Sequence, residues 1–110
     1  MRLYTMDAWV SDPVVLTDEA GLRAALHAGA TVGGATVIGE EFCAFPNRAV
    51  TGVLVLAQSH LSIHTWPELA LANVDLLSYG GISGRDVLAE IRLRLSVTRA
   101  SITCIPRAVG

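Results

Sequence analysis

The 110-residue chain contains no lysine, because all eight of its basic residues are arginine. An enzyme that uses pyridoxal phosphate holds this cofactor through a lysine amine, so this route to amino-acid chemistry is excluded. The arginines are scattered along the chain and the formal net charge is −2. Since nucleic-acid binding needs a concentrated basic surface, we expect no nucleic-acid partner.

Long apolar runs and cysteine clusters are missing too. No apolar run approaches the ~20 residues of a membrane-spanning helix, and Met1–Asp7 shows no signal-peptide pattern. We therefore expect a cytoplasmic protein with no membrane partner. The two cysteines, Cys43 and Cys104, form no ligand cluster with histidine, so no metal is expected. In a reducing compartment they are predicted to be buried free thiols.

Hydrophobic residues make up 52% of the chain, which is enough for one core in a single domain, 1–110. Thr17 is predicted to cap a first helix that ends near Gly29, and a second helix begins at Ser83 or Gly84. Six apolar or β-branched stretches predict strands. These are residues 3–10, 30–42 with a turn at the glycines, 50–57, 60–65, 71–79 and 100–105.

The element order β-α-β-β-β-β-α-β predicts an α+β fold, a two-layer sandwich in which two helices cover one face of an antiparallel sheet. The central strands are so apolar that the second face is not expected to be simply exposed to water. We therefore expect a homodimer that buries this second face, with the two sheets against each other.

The densest chemistry lies in one eleven-residue stretch, Gln58-Ser59-His60-Leu61-Ser62-Ile63-His64-Thr65-Trp66-Pro67-Glu68. A strand that only packs would not need these groups. A serine hydrolase is one interpretation, but the Gly-x-Ser-x-Gly elbow is missing and no acid to orient His64 stands out. Side chains alternate along a strand, so Ser59 and His64 would point to opposite faces unless the chain bends at Ser59.

This stretch resembles the processing and active-site motif of the prokaryotic S-adenosylmethionine decarboxylases, the small pyruvoyl-dependent type. The family pattern is Glu-Ser-His-(Leu/Ile)-(Ser/Thr)-Ile-His-Thr-Trp-Pro-Glu, and only the first position differs here, where Gln58 replaces glutamate. The resemblance is strongest over residues 42–79. It implies the two-layer fold, and a homodimer of processed units with its active sites at the subunit interface.

The resemblance also implies a cofactor that the chain makes for itself, which agrees with the absence of lysine. The proenzyme would cut the Gln58–Ser59 bond, giving a β chain of residues 1–58 and an α chain of residues 59–110. Ser59 would become a pyruvoyl group, whose ketone forms a Schiff base with the substrate amine and accepts electrons as CO2 leaves. The implied substrate is S-adenosylmethionine, decarboxylated for the synthesis of the polyamine spermidine.

Four further residues receive roles by resemblance. His64 would be the processing base, and Thr51 stands where the family has a serine that assists processing. Phe45 would stack on the adenine of the substrate, and Glu68 would bind its ribose hydroxyls. From the residues alone, Phe45 and Thr51 can also be packing residues, and Glu68 a solvated charge.

Two positions depart from the family. Gln58 removes a charge beside the cleaved bond. Tyr79, in Ser78-Tyr79-Gly80, replaces a family cysteine that reprotonates the decarboxylated carbon and assists processing. A tyrosine can donate a proton, although it is longer and its ordinary pKa is near 10.

Three interpretations follow. The chain is a self-processing decarboxylase of S-adenosylmethionine, or it applies the same pyruvoyl chemistry to another amino acid such as arginine or ornithine. In the third interpretation it is an unprocessed, non-catalytic homologue that acts as a binding or regulatory subunit.

Overall fold

In the computed structural model, which describes residues 1–108, six strands pair into one antiparallel sheet and two helices cover one of its faces. The predicted α+β fold and element order are confirmed. In chain order the elements are β1 (Arg2–Val10), α1 (Glu19–Val32), β2 (Val37–Ala44), β3 (Val50–Leu56), β4 (Ser59–Trp66), β5 (Leu71–Ser78), α2 (Gly84–Arg94) and β6 (Val97–Pro106).

The spatial order of the strands is β2-β3-β4-β5-β1-β6, so β4 lies inside the sheet with a partner on each side. Strands alternate their side chains between two faces. The apolar side chains of one face meet the helices and form the core. The buried strand residues on this face include Met6, Ala8, Val50, Leu54, Leu61, Ile63, Val74 and Leu76.

Helix α1 begins one residue later and ends later than predicted. Asp18, not Thr17, is its N-cap, and the Asp18 carboxylate accepts from the Gly21 backbone N–H at 3.1 Å. The predicted end near Gly29 is wrong, because this glycine lies inside the helix at its contact with α2. A Cβ at Gly29 would lie 3.0 Å from the carbonyl oxygen of Val87, so the glycine serves close helix packing rather than helix termination.

The prediction that both cysteines are buried is wrong, since both are exposed free thiols. Cys43 is in β2 and Cys104 is in β6, which are the two edge strands. Neighbouring strands are about 4.8 Å apart, so the two edges are separated by roughly 24 Å. Such a separation is far too large for a disulfide.

Among residues 1–108 no helix lies over the second face of the sheet, and we call it the open face. The strand register places one polar residue from each strand in a row across it. This polar row is Cys43, Thr51, His64, Asn73, Asp7 and Ser101. Four residues along each strand from the polar row, on the same face, a more apolar row crosses the sheet from β2 to β6. It contains Gly39, Val55, His60, Leu77, Leu3 and Ile105.

Neither of the two helices described in residues 1–108 is long and apolar enough to cross a membrane.

Thr65, which directly follows His64 of the polar row, is a fully buried polar residue. Its hydroxyl donates to the carbonyl of Leu16 at 2.8 Å and accepts from the backbone N–H of Val50 at 2.8 Å. Leu16 belongs to a short 3-10 helix, Pro13–Thr17, that precedes α1. The hydroxyl thus fixes β4 against β3 and this helix immediately next to His64.

We predict that Thr65→Val destabilises the fold by about 1–3 kcal/mol, because Val50 N–H and Leu16 C=O lose a partner in a buried site. Urea unfolding followed by circular dichroism measures the loss. Thr31→Val, at an exposed position of α1, is the matched control and should change the midpoint little. Equal midpoints for the two variants would contradict this role of the Thr65 hydroxyl.

Candidate active site

Strand β4 separates the two principal candidates, Ser59 and His64, rather than bringing them together. It is regular from Ser59 to Trp66, and the expected bend at Ser59 is not found. The turn lies just before it, at Ala57 and Gln58. Five residues of strand span about 17 Å, and the odd spacing places the two side chains on opposite faces. The predicted site residues therefore form two groups, one at each end of β4.

The first group, which we call the Ser59 tip, comprises Gln58, Ser59, Ser78 and Tyr79. Leu56 pairs with Ser59 across the β3–β4 turn, so Ser59 faces the helices. Its Oγ is enclosed and is the one buried side-chain oxygen or nitrogen in residues 1–108 without a hydrogen-bond partner. A buried hydroxyl without a partner costs about 1–3 kcal/mol. Such a group is available for chemistry.

Tyr79 lies at this same end of the sheet. The register that pairs His60 with Leu77 brings Ser59 alongside Ser78, and Tyr79 follows directly after β5. The hydroxyl of Ser78 donates to the carbonyl of Ile82 at 3.0 Å, which closes the turn that contains Tyr79. The structure therefore places Tyr79 with the Ser59 tip and not with His64.

The second group, the His64 cluster, comprises Phe45, Thr51, His64 and Trp66. Thr51 Oγ1 and His64 Nδ1 share a hydrogen bond of 2.7 Å. The His64 ring contacts Trp66 edge-on, with 4.5 Å between centroids, and Phe45 lies 6.1 Å away. Three of the residues singled out from the sequence, Phe45, Thr51 and His64, are thus brought together. The hydroxyl and the two flanking rings fix the orientation of the imidazole.

Two residues that the sequence analysis did not single out support this cluster. Trp66 Nε1–H donates to Asn73 Oδ1 at 2.6 Å, and Asn73 Nδ2–H donates to Asp7 Oδ1 at 2.8 Å. Asp7 and Asn73 are cross-strand neighbours in the polar row. Their polar character at alternating positions of apolar strands was the available signal. The chain of hydrogen bonds locks the Trp66 indole, and with it one wall of the His64 environment.

Glu68 lies in a short 3-10 helix, Pro67–Leu69, that follows β4 directly. Its side chain is exposed at the same end of the strand as the His64 cluster. Phe45 is also exposed, with 45% of its surface accessible. The two residues with substrate-binding roles by resemblance therefore accompany His64, whereas Ser59 and Tyr79 are at the opposite end.

A cavity of about 250 Å³ lies beside the Ser59 tip, with Arg2, Tyr4, Ser78 and Arg85 among its lining residues. Burial raises the pKa of the Tyr4 phenol, and a hydrogen bond with Cys104 raises it further. The phenol therefore stays neutral at ordinary pH. Ser59 is not among the residues that line this cavity.

The third histidine, His27, has a different role. His27 Nε2 and Glu40 Oε1 are 3.0 Å apart, and Arg23 binds the same carboxylate. The hydrogen bond from Arg23, followed by the one from His27, lowers the pKa of Glu40. This surface cluster joins α1 to β2 and lies apart from both ends of β4.

Comparisons with known proteins agree with the fold and the motif. The family profile described as S-adenosylmethionine decarboxylase matches residues 2–108. The S-adenosylmethionine decarboxylase proenzyme of Methanococcus vannielii is 35% identical over 105 residues, covering 94% of this chain and 86% of that protein. The proenzyme of the same name from Symbiobacterium thermophilum is 48% identical over 79 residues, covering 72% of this chain and 60% of that protein.

A solved structure shows the same architecture. The crystal structure of the adenosylmethionine decarboxylase from Aquifex aeolicus superposes with a TM-score of 0.86 at 26% sequence identity, covering 99% of this chain and 91% of that chain. The family profile spans nearly all of the described residues and the relatives carry the same name. The chain therefore belongs to the S-adenosylmethionine decarboxylase family.

Proposed function

We propose that this chain is a self-processing decarboxylase that acts on S-adenosylmethionine through a pyruvoyl group made from Ser59. The observation that carries the proposal is the Ser59 Oγ, a buried hydroxyl with no hydrogen-bond partner, at the serine of the family motif. A residue kept only for packing gains nothing from such a hydroxyl. A nucleophile that attacks the carbonyl preceding it needs a hydroxyl that no other group has engaged.

The processing steps follow from the atoms present. Ser59 Oγ attacks the carbonyl carbon of Gln58, the bond from this carbon to Ser59 N breaks, and the hydroxyl proton passes to that nitrogen. The product is an ester between Gln58 and Ser59. A base then removes the Ser59 Cα proton and the Gln58 carboxylate leaves from Cβ. Addition of water and loss of ammonia convert the remaining dehydroalanine to a pyruvoyl terminus.

The pyruvoyl group supplies a ketone that accepts electrons from the substrate as CO2 leaves. Because the chain has no lysine, this self-made ketone replaces the lysine-bound cofactor that is common in amino-acid decarboxylation.

We assign His64 as the base of the elimination step and Thr51 as the residue that orients it. In the tautomer in which His64 Nδ1–H donates to Thr51 Oγ1, Nε2 keeps the lone pair that a base needs. The contact of 2.7 Å supports this assignment, and the edge-on Trp66 ring limits rotation of the imidazole. Threonine keeps the hydroxyl of the family serine, so the substitution preserves this contact.

A single subunit separates His64 from Ser59, and we propose that a homodimer joins them. Two copies facing each other through the open face would be related by a two-fold axis. Ser62 is near the midpoint of β4. A two-fold axis that passes close to Ser62 and runs perpendicular to β4 would therefore place opposite ends of the two β4 strands over each other. The His64 cluster of one copy would then approach the Ser59 tip of the other.

The surface of the open face supports such a contact. Val55 is 46% exposed and Ile105 is 42% exposed in the apolar row next to the Ser59 tip. A sheet face with exposed apolar side chains gains stability when a second sheet covers it. The same arrangement would bring Phe45 and Glu68 of one copy to the Ser59 of the other. The adenosine of the substrate would then bind across the interface.

Tyr79 is the proposed proton donor to the decarboxylated carbon. It is half-buried within the Ser59 tip, which agrees with a position near the new carbonyl. A phenol reaches further than the thiol of the family cysteine, so the substrate would have to bind in a shifted position or be a different one. The alternative of another amino-acid substrate, such as arginine or ornithine, depends on this difference.

We predict that the purified wild-type chain is cut before Ser59 and that Ser59→Ala stays whole, because no hydroxyl remains to attack the Gln58 carbonyl. A denaturing gel after prolonged incubation separates the two fragments from the intact chain. Ser11→Ala, at an exposed position between β1 and the first 3-10 helix, is the control and should be cut normally. Cleavage of Ser59→Ala would remove Ser59 as the nucleophile.

We predict that His64 acts on the Ser59 of the other copy. His64→Ala alone should stay largely uncut. When it is co-expressed with Ser59→Ala, the His64→Ala chain should be cut, because its partner supplies an intact His64. Different affinity tags on the two chains allow each to be followed on a gel. A tagged heterodimer in which neither chain is cut would contradict action between subunits.

We predict release of CO2 from carboxyl-labelled S-adenosylmethionine and no comparable release from arginine or ornithine. Tyr79→Phe should lower turnover by about 10²-fold, as expected for the loss of a general acid, while Tyr79→Cys should retain substantial activity. Release from arginine or ornithine alone would establish the alternative substrate. Unchanged turnover and product with Tyr79→Phe would exclude Tyr79 as the donor.

A further inference from the structure

Gln58, the residue before the proposed cleavage site, has a left-handed backbone with φ of 59°. For residues with a Cβ, this region is unfavourable because the Cβ approaches the following carbonyl oxygen. Glycine is free of this penalty, and asparagine eases it through its short polar side chain. Glutamine has neither advantage. The chain therefore holds an unfavourable conformation at the residue whose carbonyl is attacked.

The surrounding sheet maintains this conformation. Ala57 and Gln58 alone connect β3 to β4, and Leu56 pairs with Ser59 to close the turn. The outer neighbours of these strands, β2 and β5, prevent them from sliding. In addition, Ala57 N–H donates to the carbonyl of Thr36 at 2.9 Å, which ties the turn to the segment before β2. The turn cannot relax without loss of these contacts.

We propose that the left-handed backbone of Gln58 is a strained ground state that accelerates cleavage of the Gln58–Ser59 bond. This inference rests on the proposed self-processing. Once Ser59 Oγ attacks the Gln58 carbonyl carbon and the bond to Ser59 N breaks, Gln58 is joined through the ester to Oγ and no longer to the β4 backbone. Its φ is then free to return to an ordinary region, so bond cleavage releases the strain.

A left-handed residue also makes ordinary turns elsewhere in this chain, at Arg48, Ala70 and Ser96. What distinguishes Gln58 is the next residue, whose buried Oγ lacks a partner. Two unfavourable features thus adjoin one peptide bond, and the same N-to-O shift relieves both. Two further left-handed positions of the chain, Gly34 and Gly80, do have glycine.

The test compares Gln58→Gly with Gln58→Ala, because both remove the side chain beyond Cβ and only glycine removes the backbone penalty. We expect Gln58→Gly to be cut about tenfold more slowly than Gln58→Ala. The rate is the first-order loss of freshly refolded full-length chain on a denaturing gel. Ala57→Gly is the matched control for flexibility, since Ala57 is in the same turn without a positive φ. We expect Ala57→Gly to be cut at about the wild-type rate.

A second measurement is independent of cleavage. The Ser59→Ala chain stays whole and serves as the background. In it, Gln58→Gly should have a higher urea midpoint than Gln58→Ala. Ala57→Gly should have a lower midpoint than the Ser59→Ala chain itself. Equal cleavage rates for Gln58→Gly and Gln58→Ala, with normal wild-type cleavage, would overturn this inference alone. A lower midpoint for Gln58→Gly would overturn it as well. A wild-type chain that is never cut would overturn the proposed function together with the inference.

Discussion

Strand β4 is paired on both sides, and this pairing determines where the reactive groups of the chain can lie. A paired strand cannot rotate its residues, so the pleat directs Ser59 to the helix face and His64 to the open face. Each end of the strand then gathers its own partners. Ser78 and Tyr79 join Ser59, while Thr51 and Trp66 enclose His64. One subunit thus holds two separate groups of candidate residues, which is the geometric reason for proposing that two subunits share the chemistry.

The two groups, the His64 cluster and the Ser59 tip, differ in their contacts. The His64 cluster is held by the Thr51 hydroxyl and by the hydrogen bonds that run from Trp66 to Asn73 and Asp7. The Ser59 tip lacks such contacts. The Ser59 hydroxyl has no hydrogen-bond partner, and Gln58 has a left-handed backbone that is unfavourable for glutamine. Hydrogen bonds thus hold the proposed base in place, whereas the proposed cleavage site contains groups in unfavourable states. Buried unsatisfied groups and backbone strain are found together at functional sites for this reason.

The order of elements followed from the sequence because hydrophobic alternation and the β-branched runs are strong local signals. The end of α1 did not, since Gly29 marks a helix contact that only the position of α2 explains. The exposure of the cysteines depends on which strands lie at the edges, and this is a property of the whole topology. In the site, the motif led to Ser59 and His64. Asn73 and Asp7 are 66 residues apart, so their contact required the β1–β5 register. The left-handed Gln58 had no glycine or asparagine signal.

The central claim is that Ser59 cuts its own chain and becomes the carbonyl cofactor of a decarboxylase that has no lysine to hold one. Intact-mass spectrometry of the purified wild-type protein tests this most directly. The account predicts two polypeptides that correspond to residues 1–58 and 59–110, the second of them beginning with a ketone-bearing pyruvoyl group. A single unbroken chain in a preparation that decarboxylates S-adenosylmethionine would contradict it.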